Sequence, residues 1–170
     1  LLYYQNNITG MISLLNAMND AKVKYLIFSS SAATYGIPEK LPITEEAPLK
    51  PINPYGETKM MMEKMMLWAD KANNIKSIAL RYFNVAGAAS DGTIGEDHRT
   101  ESHLIPNILK CADSHDKIFT IYGNDYQTLD GTNVRDYVEI EDLIDAHILA
   151  LQHLIKTNLS DVFNLGTAHG

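Results

Sequence analysis

Val23-Lys-Tyr-Leu-Ile-Phe28-Ser-Ser-Ser31 reads as a buried strand that runs straight into three hydroxyls. Val23 to Phe28 supplies the strand, and the polar triplet falls at its carboxyl end, where open α/β sheets place their ligands. Upstream, Ile8, Met11, Ile12, Leu15 and Met18 recur at three and four, which gives a helix one apolar face ending near Asn19-Asp20. Downstream, Thr34 to Pro54 holds five of the six prolines, which predicts an ordered loop. Asn53-Pro54 then offers an N-cap and a preset first helical residue, with Glu57 favourable in the first turn and the helix reaching about Ala72. Ile75 to Phe83 reads as a second strand. Helix, strand, loop, helix, strand is the rhythm of an α/β fold with a parallel sheet and crossover helices.

From Asn84 to Gly95 the composition turns to Gly, Ala, Ser and Asp, and a boundary is expected at 86/87. Beyond it the sequence predicts a short helix over Ile105 to Ala112, strands over Phe119 to Tyr122 and Val134 to Val138, and an amphipathic helix carrying Ile140, Leu143, Ile144, Ile148, Leu151 and Leu154/Ile155. The 170 residues suit one domain or parts of two, and a net charge of −7 without a Lys/Arg block argues against nucleic acid or a membrane surface as partner. The single cysteine, Cys111, can form no internal disulfide, and neither a signal peptide nor a long apolar run is seen. A cytoplasmic protein is expected. The chain opens at Leu1 in Leu-Leu-Tyr-Tyr, like a piece of something longer.

Several sites are excluded by spacing. Gly87, Gly92 and Gly95 lack a dinucleotide fingerprint, no P-loop exists, and Ser31 lacks the glycines of a nucleophile elbow. The six histidines (98, 103, 115, 147, 153 and 169) match no metal signature, so no metal is expected. Tyr55-Gly-Glu-Thr-Lys59 is different, because residues four apart share one helix face. A close ammonium favours phenolate and can bring a tyrosine into working range as a base. With nine tyrosines and eleven lysines, chance alone supplies roughly half of one such pair. Two readings stand open on these residues: Ser31 relaying a sugar hydroxyl's proton to Tyr55, or a packed helix tyrosine beside a strand-capping serine run.

The chain resembles the extended short-chain dehydrogenase/reductases over essentially its whole length. The resemblance is carried by Tyr3-Tyr4-Gln-Asn6-Asn7, Phe28-Ser-Ser-Ser-Ala-Ala-Thr-Tyr35-Gly36, Asn53-Pro-Tyr-Gly-Glu-Thr-Lys59, Leu80-Arg-Tyr-Phe-Asn-Val-Ala-Gly87 and Gly95-Glu-Asp97. The most specific run is Ile121-Tyr-Gly-Asn-Asp-Tyr126 through Asp130-Gly-Thr-Asn-Val-Arg-Asp-Tyr137. It implies a Rossmann-like parallel sheet, NAD as cofactor, and the branch that interconverts UDP-galactose and UDP-glucose. The family's dehydratases carry Thr-Asp-Glu where this chain has Ser29-Ser30-Ser31, so the carboxyl groups that elimination of water would use are missing.

In the reaction so implied, Tyr55 takes the proton of the sugar 4-hydroxyl while C4 gives hydride to NAD. The 4-keto sugar then turns over, and hydride returns to its other face. Ser31 would relay the proton; Lys59 would lower the tyrosine's pKa and hold the nicotinamide ribose. By position, Asn6, Ser29, Ser31, Tyr55, Lys59, Tyr82 and Phe83 would face NAD. Ser31, Tyr55, Asn84, His103, Leu104, Thr120, Ile121, Tyr122 and Arg135 would hold the UDP-sugar, Arg135 as the charge partner of the diphosphate. Leu104 and Ile121 could equally be core residues.

The resemblance makes 1–86 the C-terminal half of a dinucleotide-binding domain and 87–170 part of a UDP-sugar-binding domain, with segments returning to the main sheet. The family's glycine-rich phosphate turn is not among these residues, so this piece alone is expected to bind NAD poorly and to be inactive. A homodimer is expected through helices near Gln5 to Asp20 and from Pro54, for which the methionines at 60, 61, 62, 65 and 66 offer a face that could also be plain core. The alternatives are an NAD-dependent sugar-nucleotide decarboxylase or reductase of the same fold, and a non-catalytic assembly module.

Overall fold

The computed structural model describes residues 1–114 and 118–169. The chain begins in a π-helical turn, Tyr4–Thr9, that continues into α1 (Gly10–Asp20) and leads to strand β1 (Tyr25–Ser31). After a 3₁₀ turn (Ala32–Thr34) and the proline-rich loop come α2 (Pro54–Asn73), β2 (Lys76–Tyr82) and the short β3 (Asn84–Ala86). The remainder holds α3 (Leu104–Ala112), β4 (Tyr137–Glu139), α4 (Ile140–Thr157) and β5 (Asp161–Leu165).

β1, β2 and β5 form a parallel sheet in the order β1-β2-β5, with Ser31 opposite Tyr82 and Tyr82 opposite Leu165. The α/β, Rossmann-like expectation holds. β2 is buried on both faces, which explains its unbroken apolar centre. On one face Met11, Phe28, Met62, Met66 and Ala79 pack together; on the other, Ile78 and Leu80 meet Ala150 and Leu154. Met60, Met62 and Met66 are therefore core, and the methionine run of α2 is mainly a packing stripe. The large hydrophobic residues that α2 leaves exposed are Leu67 and Trp68.

α2 starts as its sequence requires. Asn53 accepts a hydrogen bond from the Gly56 amide at 2.8 Å, and Pro54 occupies the first turn. A side chain at Gly56 would strike the Ala33 carbonyl, so glycine there lets the start of α2 descend onto the end of β1. The helix stops at Asn74, whose φ of 55° places it in the left-handed region.

Three expectations change and one strand is added. The serine triplet is the last part of β1 rather than its sequel, because Ser29, Ser30 and Ser31 pair with Leu80, Arg81 and Tyr82. Phe119 to Tyr122 forms no strand and has no ladder partner among the described residues; without one, an extended segment leaves its backbone groups to water. The Val134 strand shrinks to Tyr137–Glu139, since only β3, three residues long, pairs with it. β5 was not anticipated, because a five-residue run has too little periodicity to declare itself. No helix among the described residues is long and apolar enough to cross a membrane.

Candidate active site

Strand alternation sorts the three serines. Ser30, fully buried, turns to α2 and donates to the Glu63 carboxylate. Glu63 also takes a forked pair of hydrogen bonds from Arg81 of β2, the shorter at 2.6 Å, with both side chains over nine-tenths buried. Arg81 goes on to the Tyr35 hydroxyl at 2.8 Å, and Tyr35 donates to Asn164 of β5 at 2.7 Å. One buried chain of hydrogen bonds thus locks α2, all three strands of the sheet and the loop after β1 into a single register. No buried side-chain polar atom among the described residues lacks a partner.

Lys59 of α2 reaches across to donate to the Ser29 carbonyl at 2.8 Å, and its Nζ stands 5.5 Å from the Tyr55 ring centroid. Ser31 accepts from the Ala33 amide at 3.1 Å, fixing its oxygen at the mouth of the strand. Tyr55 is half-buried, with Tyr3 edge-on at a centroid distance of 6.0 Å. Burial, the largest influence, pushes the Tyr55 phenol above its usual range; Tyr82 and Tyr3 add to this, and the Ser31 hydroxyl acts the other way. Burial likewise pushes the Lys59 ammonium below its usual range. In this chain desolvation outweighs the effect expected of Lys59 on Tyr55.

Ser29, Ser31, Tyr55, Lys59 and Tyr82 therefore gather at the carboxyl ends of two parallel strands. The sequence matches the NAD dependent epimerase/dehydratase family over residues 1–166. The chain belongs to this family. It is 79% identical over 170 residues to UDP-glucose 4-epimerase of Lactobacillus helveticus, covering 100% of this chain and 52% of that relative. The chain spans about half the length of the curated relatives it matches. Among solved structures, UDP-glucose 4-epimerase from Brucella ovis in complex with NAD is 46% identical with a TM-score of 0.94, over 98% of this chain and 51% of that one. The Bifidobacterium longum enzyme, in complex with NAD+ and UDP, is 41% identical with a TM-score of 0.91, over 98% of this chain and 50% of that one.

Beyond the sheet end, the residues assigned through the family resemblance scatter. Phe83 donates its amide to the Leu165 carbonyl at 3.3 Å, and Asn84 bonds through both its amides to the Asp136 carbonyl. Asp136 in turn accepts from the Thr167 and Ala168 amides, and a side chain at Gly166 would collide with Asp136 and Phe83. The segment after β5 is thereby drawn against β3 and β4. Asn6 is exposed in the π-helical turn, where its neighbour Asn7 donates to Thr58 of α2 at 2.8 Å.

Arg135 is exposed, and its guanidinium meets the Val134 carbonyl at 2.8 Å. Leu104, Thr120, Ile121 and Tyr122 are all exposed, so Leu104 and Ile121 are not core residues here. His103 sits just before α3 with its Nδ1 2.8 Å from carboxylates of both Glu96 and Glu101. With His98 these groups bring one ligating atom each to within 4.8 Å, a mostly exposed cluster held together by its own histidine–carboxylate contacts. His115 lies outside the described residues.

The sequence reading missed Glu63, although it extends the Tyr55, Lys59 ladder by another four residues on the same helix face. Arg81, Tyr35 and His147 carried no local signal. Their side-chain partners lie 18 to 129 positions away in the chain.

Proposed function

We propose that the protein of which this chain forms part interconverts UDP-galactose and UDP-glucose with NAD, by oxidation and reduction at C4. The observation that carries this reading is the group of Ser31, Tyr55 and Lys59 at the carboxyl end of β1, with no carboxyl group in the serine triplet. The Ser31 hydroxyl at that strand end suits proton relay, and the triplet offers no acid for expelling water. The names of the relatives above support the same reading.

The donor set suits NAD. A half-buried ammonium fixed by a carbonyl, two serine oxygens and a phenol match the hydroxyls of a nicotinamide ribose better than a phosphate or a metal. Asn6, Tyr82 and Phe83 would complete that side. NAD when bound takes up and returns the C4 hydride. Tyr55 receives the proton of the 4-hydroxyl through or beside Ser31 and gives it back after the sugar has turned. Burial favours the protonated phenol, and positive charge brought into the cleft would act the other way.

Asn84, His103, Leu104, Thr120, Ile121, Tyr122 and Arg135 would hold the UDP-sugar, with Arg135 on the diphosphate. Residues 1–86 would then belong to a dinucleotide-binding domain and most of 87–170 to a sugar-nucleotide-binding one. The latter division is supported by the lack of any buried residue among those described between 87 and 135, while α4 and β5 return to the sheet. A cytoplasmic homodimer is supported by the single free cysteine and by exposed Leu67 and Trp68 on α2.

The test supplies UDP-galactose, without added NAD, to the product of the complete reading frame and follows sugar identity and reduced-nicotinamide absorbance together. UDP-glucose with no net reduction is expected, and Tyr55→Phe should lower the rate by roughly a hundredfold to ten-thousandfold. Net reduction, or a decarboxylated or dehydrated sugar, would replace inversion by another reaction on the same fold.

A further inference from the structure

Ser29 is held from two sides. Its carbonyl oxygen carries the Lys59 ammonium at 2.8 Å, and its hydroxyl lies 3.1 Å from Nε2 of His147 on α4. The imidazole is itself constrained, because Nδ1 lies 2.8 Å from the Leu143 carbonyl. A carbonyl only accepts, so Nδ1 carries the proton and donates. In the neutral ring Nε2 is then a bare lone pair, and the Ser29 hydroxyl must be its donor.

His147 is half-buried, with its ring 6.4 Å from that of Tyr82 across the same sheet end. A histidine filling space needs neither its tautomer selected nor a partner on the strand that bears the reacting groups. Here both are present, and the partner is the residue on which Lys59 rests. Ser31, two residues on, lies on the same face of β1 as Ser29.

We propose that His147 is a positioning residue: through the Ser29 hydroxyl it fixes the carboxyl end of β1, and so places Lys59 and Ser31 relative to Tyr55. α4 thereby contributes to the reacting geometry from the face of the sheet opposite α2. The inference rests on the C4-inversion reading for its kinetic part alone; the hydrogen-bond relay is a property of the fold.

The test uses the full-length protein in two parts. The first needs no activity: with selectively ¹⁵N-labelled histidine and lysine, His147→Ala and Ser29→Ala should both move the Lys59 side-chain resonance, and His147 Nε2 should lose its hydrogen-bonded shift in Ser29→Ala. A Lys59 resonance unmoved in both variants overturns the proposal, whether or not the protein inverts C4.

The second part is kinetic. His147→Ala should lower kcat roughly tenfold to a hundredfold with little change in KM for the UDP-sugar, the loss expected when a reacting group is misplaced. His147→Gln, whose side-chain carbonyl can accept from Ser29, should recover most of it, and Ser29→Ala/His147→Ala should be no slower than the worse single variant. Wild-type kcat in His147→Ala, no recovery in a folded His147→Gln, or additive losses in the double variant would each overturn the relay. An inactive wild type would overturn the C4 reading and leave the resonance test to decide this one.

Discussion

Residues 25–82 and residues 87–135 carry comparable numbers of candidate site residues and are built on opposite principles. The first holds two paired strands, a capped helix, and a Glu63–Arg81–Tyr35 network in which every polar group is answered. The second has α3 as its one helix, no ladder, and no buried residue among those described. The candidate reacting groups sit where strand pairing and helix packing hold them. The groups assigned to the UDP-sugar sit where the chain's own contacts do not. A site that must hold a proton path needs rigidity that a parallel sheet supplies, whereas a surface that closes on a long, flexible ligand can take its order from that ligand.

The comparison breaks most readily at the buried ion pair. Arg81→Met leaves the Glu63 carboxylate buried without its partner and should cost about 3–5 kcal/mol in urea unfolding; a cost under about 1 kcal/mol would show the network to be dispensable. Asn53→Ala should cost about 1 kcal/mol, because the first turn of α2 loses its cap, and the loss should appear in the unfolding midpoint.

A smaller effect sharpens the same contrast through pH. Asp70, at the far end of α2, is pushed up by burial and more than offset by hydrogen bonds from Lys76 at 2.6 Å and Ser160 at 2.6 Å, so its carboxyl sits below the usual range. A depressed folded value means that its contribution is complete above the unfolded value near 4 and is lost as pH falls through the folded one. Stability should therefore drop on acidification below about pH 4, and Asp70→Asn should flatten that part of the curve. Smallest of all, Ile121→Ala, in the exposed loop, should change stability by less than about 0.5 kcal/mol; a larger loss would show that 87–135 has a core of its own.

Much of the first region was legible in the sequence. The N-cap and proline at 53 and 54 announce α2, the proline cluster announces the loop, and the Tyr55, Lys59 spacing places both on one helix face. In the second region Phe119 to Tyr122 looked like a strand because its composition is right for one. Strand formation depends on a partner, which composition does not disclose.

Local order and the choice of candidate reacting groups were thus open to the sequence alone: caps and helix periodicity act over a few residues, and the family resemblance singles out Ser31, Tyr55 and Lys59. Which groups support them was decided only by the tertiary structure. Ser30 to Glu63, Arg81 to Tyr35 and Ser29 to His147 join residues 33 to 118 positions apart. Those pairs form because the sheet places β1 against β2 and lays α2 and α4 on its two faces. No spacing rule reaches that far along a chain.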